Sequence, residues 1–355
     1  MKIATILGTR PEIIKMSQLI SLLDKRFDHT FILTGQHYSK EMVDVFLEEL
    51  NIRQPDFFLN SQSSEYSILL PLIKNKVKNL DIDYVIVYGD TNSTLAAALA
   101  AQKYDKKLIH IEAGLRSFDK RMAEELVRVL VDHLSDILFP PTKLTAYFLE
   151  LEGIKNDKYV VGNTIVDACF NYLPIAERKS KILNKLELEP NEYILATIHR
   201  AENTDDVVKL VRLLQALSLL EYPVVLPVHP RIKKRLSEFG YRFPESIKAI
   251  DPVGYFDMLK LIKNSKFVAT DSGGLQEEAI TLKVPCLTLR ETTERWETIS
   301  IGANFLVGSD PLLINYSAKM ILVTGLKEKI KKLPNPYGDG KASVKIVEIL
   351  ENKLH

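Results

Sequence analysis

Short β-branched runs alternating with amphipathic helical stretches fill this chain, and the alternation weakens once and then restarts. Residues 2–7, 29–33, 84–87, 107–111 and 159–161 read as strands, with helices at 41–50, 66–79 and 94–102 between them. Each crossover helix has to pack back on the sheet, so this rhythm implies a parallel sheet covered on both faces. The rhythm weakens after Val166, and the charged stretch 177–191, helical and ending near Pro190, is the candidate link. Strands then recur at 193–198, 224–228, 247–250, 267–270, 286–289 and 304–307, with helices around 207–220, 258–262 and 276–282. The expected fold class is α/β, two doubly wound domains in tandem, residues 1–172 and 173–340. A last helix, about 342–354, can pack on either unit and is assigned, as residues 341–355, to the first. A chain of 355 residues with 46% hydrophobic residues supports two cores.

Charge and cysteine usage narrow the function classes. Lys plus Arg number 47 against 46 for Asp plus Glu, which argues against a nucleic-acid coat protein. Cys169 and Cys286 form no CxxC pair and read as buried thiols in a reducing cytoplasm. The first apolar run ends at Gly8 and meets Arg-Pro-Glu, which is not the pattern of a signal peptide. No apolar run reaches membrane-spanning length, so neither a membrane nor a nucleic acid is expected as partner.

Open parallel sheets bind ligands beyond the carboxyl ends of their strands, and with two sheets the expected site is the cleft between them. The unusual residues follow strand ends. Gly8-Thr9-Arg10-Pro11-Glu12, with Lys15 a turn later, has capping-box spacing and reads either as a phosphate site or as an ordinary basic first turn. Asp90 precedes a helix start and is either its cap or a proton carrier; Glu112 stands at a strand end before Gly114 and Arg116. Glu124-Glu125 opens a helix, where favourable interaction with the helix dipole is the plain alternative to chemistry. His199 sits at a strand end rather than on an apolar face, with His229 in the equivalent place on the next strand. Thr270-Asp271-Ser272-Gly273-Gly274 runs straight into a helix, and backbone amides at such a turn can approach a pyrophosphate that a Cβ would hinder. Glu278, one turn on, suits two ribose hydroxyls, and Arg290 and Arg295 add positive charge. Neither a nicotinamide-binding GxGxxG nor a P-loop occurs, and no His/Cys/Asp/Glu spacing resembles a zinc site.

GTRPE (8–12), GDTNST (89–94), EAGLRS (112–117), GNTIVD (162–167), HRAEN (199–203), DSGGLQEE (271–278), TTER (292–295) and NPYGDG (335–340) occur in that order. Together they resemble the non-hydrolysing UDP-N-acetylglucosamine 2-epimerases over essentially the whole chain. The resemblance implies two Rossmann-like domains of the glycosyltransferase-B architecture, a homodimer, and reversible conversion of UDP-N-acetylglucosamine to UDP-N-acetylmannosamine. It implies elimination of UDP to 2-acetamidoglucal followed by re-addition, with no metal or redox cofactor. Carried over by motif, Asp90, Glu112 and Glu124 become the acid/base candidates, with no assignment of which serves which face. His199 assists the leaving pyrophosphate. Arg10, Lys15, Ser272, Gly273, Gly274 and Arg295 offset charge on UDP, Glu278 holds the ribose, and Arg116 and Arg128 join the substrate contacts.

The chain departs from the family pattern at three points. Ala123 and Val127 stand where Pro-Glu-Glu-x-Asn-Arg has proline and asparagine, and Trp296 replaces the second proline of Thr-Glu-Arg-Pro-Glu. Val127 cannot supply an asparagine's hydrogen bonds, so an altered sugar preference or rate follows as an expectation. Gln36-His37-Tyr38 stands where activated members carry Gln-His-Arg, which weakens the case for activation by a second substrate molecule. Competing readings are a 2-epimerase for a related UDP-N-acetyl sugar, a hydrolysing epimerase, a glycosyltransferase of the same architecture, and a nucleotide-sugar sensor. Gly114-Leu115-Arg116, where relatives acting on the related sugars carry Gly-Asn-Arg, favours plain GlcNAc.

Overall fold

The computed structural model describes residues 1–36 and 40–354. The chain forms two compact units, Met1–Ala168 with Tyr337–His355, and Cys169–Pro336. The final helix, Ala342–Leu354, belongs to the first and packs on the helix Arg10–Arg26.

The first unit holds the strands β1 (Lys2–Leu7), β2 (Asp28–Leu33), β3 (Phe57–Phe58), β4 (Tyr84–Tyr88), β5 (Lys107–Ile111), β6 (Ile137–Phe139) and β7 (Asp157–Lys158). They form one parallel sheet in the order β3-β2-β1-β4-β5-β6-β7. The order reverses between β1 and β4, the switch point where doubly wound sheets open a crevice. One face of the sheet, including Ala4, Ile6, Ile32, Val85 and Val87, packs against Leu69, Ile73 and Val77 and against a run of small residues, Ala96–Ala98, Ala100 and Ala101. Alanines on the helix Asn92–Lys103 let the helix Tyr66–Lys78 approach closely. Each large side chain so buried contributes about 1.5–3 kcal/mol.

The second unit repeats the design with β8 (Ile194–Thr197), β9 (Val224–Pro227), β10 (Ile247–Ile250), β11 (Val268–Thr270), β12 (Cys286–Thr288) and β13 (Asn304–Leu306). Their parallel order is β10-β9-β8-β11-β12-β13, with the switch point between β8 and β11. Ile194, Ala196, Val224, Leu226, Ala269 and Leu287 of this sheet share a buried cluster with Leu210, Leu213, Leu214 and Leu217 of the helix Val207–Ser218.

Two expectations need correction. Residues 159–161 form no strand. The pairing with β6 involves Asp157 and Lys158, and β6 stops at Phe139 before Pro140 and Pro141, which have no amide proton to extend the ladder. The stretch 177–191 is not one helix. The helix Thr164–Lys179 ends there, Ser180 turns to bond Asp257, and a short helix Ile182–Lys185 follows. Val127 is buried in the apolar core of the first unit beside Val131. Among the described residues no helix is long and apolar enough to cross a membrane.

Candidate active site

The two sides of the first switch point are tied together by one buried carboxylate. Glu12 accepts the amides of Gly8 and Thr9 at 2.7 and 2.6 Å after β1, and the hydroxyls of Thr91 and Thr94 at 2.9 and 3.2 Å after β4. Burial pushes its carboxyl above the ordinary value even against these bonds. Gly8 is required for this approach, since a Cβ there would meet Ser93 Oγ at 2.4 Å. Arg10, the first residue of its helix, is partly exposed and lies 4.4 Å from the Phe46 ring centroid.

Glu112 follows β5 with φ +68°, a left-handed backbone that costs a residue with a Cβ on the order of 1–3 kcal/mol. The side chain so aimed is buried, and three donors converge on its Oε2: Lys15 Nζ at 2.6 Å, Tyr88 Oη at 2.6 Å and Asn163 Nδ2 at 3.1 Å. The Lys15 ammonium is therefore turned to Glu112. A Cβ on Gly89 would lie 3.9 Å from Glu112 Oε1, which sets the Gly89-Asp90 turn beside this carboxylate.

Asp90 does not cap the following helix; Thr91 does, accepting the Thr94 amide at 3.2 Å. Asp90 instead pairs with Arg128 Nη2, and Arg128 Nη1 reaches Glu125 at 2.9 Å. Glu125 also accepts the amides of Ser117 and Phe118 at 2.9 and 2.8 Å, so it anchors a loop. Glu124, its neighbour in the first turn of the helix Ala123–Leu134, is half-buried. Glu112 with Lys15 and Asp90 with Arg128 thus stand at the ends of β5 and β4, and Glu124 lies one turn before Arg128 on the same helix. Arg116 does not join them. Its buried guanidinium is spread over Glu152 at 2.7 and 2.6 Å and Asp132 at 2.8 Å, which makes it a strut inside the unit. Arg128, likewise buried, holds Asp90.

In the second unit His199 stands after β8 with its ring 57% exposed and its Nδ1 2.8 Å from Asp271, which is fully buried after β11. Burial alone would raise the Asp271 carboxyl; the bond and charge of His199, the Arg200 amide and Asn203 outweigh it and hold it below its ordinary value. A buried carboxylate fixing one ring nitrogen leaves Nε2 as the outward group. Asp271 was legible only as part of the 271–278 motif; its pairing is three-dimensional. Tyr88 and Asn163, far from Glu112 in sequence, carried no local signal.

Ser272 caps the helix Gly273–Thr281, whose first amides lack partners within the helix. The two glycines differ. A Cβ on Gly273 would meet Glu294 Oε1 at 2.6 Å, whereas at Gly274 the nearest atom is Ser272 Oγ at 3.9 Å. Side chains therefore crowd the first glycine, and open space lies over the second. Arg295 is bound to Glu277 at 2.6 Å, and Arg290 to Glu294 at 3.1 Å, so acidic partners offset the positive charge expected from these arginines. Glu278 is buried in the same helix, beside the buried Tyr255, whose phenol burial, Cys169 and Glu278 push well up. Trp296 is half-buried at the start of the helix Trp296–Ser300. Gln36 is buried and accepts Ser93 Oγ at 2.7 Å, while His37 and Tyr38 lie outside the described residues. Among the described residues no cluster of three or more His, Cys, Asp or Glu is arranged to hold a metal.

Both switch points therefore carry polar constellations, one of carboxylates and one of a histidine with a helix N-terminus. The family model described as UDP-N-acetylglucosamine 2-epimerase matches residues 22–351. A UDP-N-acetylglucosamine 2-epimerase of Methanococcus maripaludis is 46% identical, the match covering 98% of each chain. A Pseudomonas aeruginosa UDP-2,3-diacetamido-2,3-dideoxy-D-glucuronate 2-epimerase is 40% identical over 99% of both chains. The crystal structure of Methanocaldococcus jannaschii UDP-GlcNAc 2-epimerase in complex with UDP-GlcNAc and UDP superposes with a TM-score of 0.91 at 42% identity, covering 99% of this chain and 100% of that one. Matched along nearly its full length, this chain belongs to the UDP-N-acetylglucosamine 2-epimerase family.

Proposed function

We propose that this protein interconverts UDP-N-acetylglucosamine and UDP-N-acetylmannosamine without hydrolysis, by elimination and re-addition of UDP. A base takes the C2 proton, its bonding electrons form the C1–C2 double bond, and UDP leaves C1 with the electron pair of the C–O bond. A proton then adds to the opposite face of C2 while a β-phosphate oxygen rebonds C1. Atoms and electrons balance with no redox partner. The observation that carries this reading is Glu112, a buried carboxylate in a strained backbone with three donors on one oxygen. Strain of this kind gathers at sites whose geometry matters.

The first unit supplies the proton chemistry through Asp90, Glu112 and Glu124. Lys15 steadies the charge on Glu112, and Arg128 holds Asp90. The second unit takes the nucleotide. The amides after Ser272 and at Gly274 face the pyrophosphate, His199 donates to the departing oxygen with Asp271 behind it, and Glu278 accepts the ribose hydroxyls. Arg10 adds positive charge. The working form is a homodimer in the cytoplasm.

A second reading, a diacetamido-uronate substrate, is favoured by the 40% identical Pseudomonas relative. Leu115 does not separate the two by contact, since its side chain is buried. Incubation with each nucleotide sugar, followed by anomeric-proton NMR, decides among the readings. UDP-ManNAc formed from UDP-GlcNAc supports the proposal. Free ManNAc with UDP indicates a hydrolysing enzyme, and turnover of the diacetamido-uronate alone indicates the second substrate.

A further inference from the structure

Beneath the carboxylates of the first unit lies a buried charged cluster that the chemistry above does not use. His110, in β5, is fully buried, with Nδ1 2.7 Å from Asp132 Oδ1 and Nε2 2.9 Å from the Gly89 carbonyl oxygen. A carbonyl oxygen only accepts, so Nε2 carries a proton. Asp132 Oδ2 faces Arg116 Nη1 at 2.8 Å and accepts the Gly114 amide at 3.1 Å. Its contacts with the Arg116 guanidinium, which is always charged, and with the Gly114 amide hold the group as a carboxylate. An ionised carboxylate also only accepts, so Nδ1 carries a proton as well. A ring protonated on both nitrogens is an imidazolium. His110 and Arg116 then balance Asp132 and Glu152, and the cluster is neutral as a whole.

The cluster reaches every segment that bears an acid/base candidate. Gly89 precedes Asp90. His110 stands two residues before Glu112 and Gly114 two residues after it. Asp132 lies on the helix Ala123–Leu134, which starts with Glu124 in its first turn and carries Arg128, the partner of Asp90. A neutral ring would set a bare nitrogen lone pair against an oxygen at one end and release either the helix or the turn.

We propose that His110 is a positioning residue for Asp90 and Glu112, acting as a buried imidazolium clamped between Asp132 and the Gly89 carbonyl. Its effect on turnover rests on the roles proposed above for Asp90 and Glu112; its charge does not.

The test uses the full chain. Nitrogen-edited NMR of the histidine rings, with His110 assigned by through-space contacts to Gly89 and Asp132, should show both ring nitrogens protonated at neutral pH. In His110→Asn the Gly89 bond is lost, and kcat should fall about 10²-fold, as for a catalytic group displaced by an ångström, with KM and UDP affinity unchanged. A single neutral tautomer overturns the inference, and so does a folded His110→Asn with wild-type kcat. The ring measurement needs no variant, so it decides even if His110→Asn does not fold. An imidazolium signal in a wild-type protein that turns over no nucleotide sugar would support the charge and count against the proposed function instead.

Discussion

Replacing Glu112 by Gln keeps the side chain's shape and removes its charge, which separates chemistry from packing. Lys15 Nζ and Glu112 Oε2 are 2.6 Å apart and both side chains are buried. At an effective dielectric of about 20 their gross attraction is about 6 kcal/mol. Desolvation offsets much of this in the intact pair, yet Glu112→Gln leaves Lys15 buried without its counter-charge, a loss of about 3–5 kcal/mol. If Glu112 moves the C2 proton, turnover should fall by about 10²–10⁴-fold. The double variant Lys15→Met, Glu112→Gln removes both charges and should recover most of the stability, because no buried charge is left alone. It should not recover turnover. Calorimetric unfolding reads the stability, C2 exchange by NMR reads the chemistry, and UDP titration checks that the second unit is intact. Wild-type turnover in the single variant would refute a role for Glu112, and turnover restored with stability in the double variant would show that the loss was one of folding.

Other substitutions probe the remaining groups. Asp90→Asn should lower turnover by about 10²–10⁴-fold while sparing UDP binding, as steady-state rates and titration would show. The depressed Asp271 carboxyl contributes stability that is complete above the unfolded value of about 3.9 and is lost as pH falls through its lower folded value. Asp271→Asn should remove that acid-limb dependence, read by unfolding at stepped pH, and should lower turnover by freeing His199. Gly273→Ala should cost about 1–3 kcal/mol as the new methyl displaces Glu294. Gly274→Ala should leave the melting temperature nearly unchanged and weaken UDP binding, because the space its methyl enters is the one assigned to pyrophosphate.

Much of the fold is legible in the sequence because strand and helix periods alternate with glycine-bearing turns. The helix Ala342–Leu354 and the strands Lys2–Leu7 and Ile247–Ile250 begin and end where the pattern does. The strand Ile137–Phe139 went unseen because three apolar residues before two prolines carry no period. The positions of Asp90, Glu112 and His199 at strand ends, and of Glu124 at a helix start, were legible for the same reason as the strands and helices. Their partners were not. Tyr88, Asn163 and Asp271 meet their targets across 24, 51 and 72 residues of chain, and only the parallel pairing brings them together. Arg116 and Val127 mark the opposite limit: sequence gives residue type and place, but the direction in which a side chain points depends on packing.

The most direct test of the account is proton NMR of the purified protein with UDP-GlcNAc in D₂O. Proton transfer through a glycal predicts UDP-ManNAc carrying deuterium at C2, with deuterium also entering C2 of the remaining UDP-GlcNAc as the reaction reverses. UDP-ManNAc that retains its original C2 proton would contradict elimination and re-addition through solvent-exchanging carboxylates.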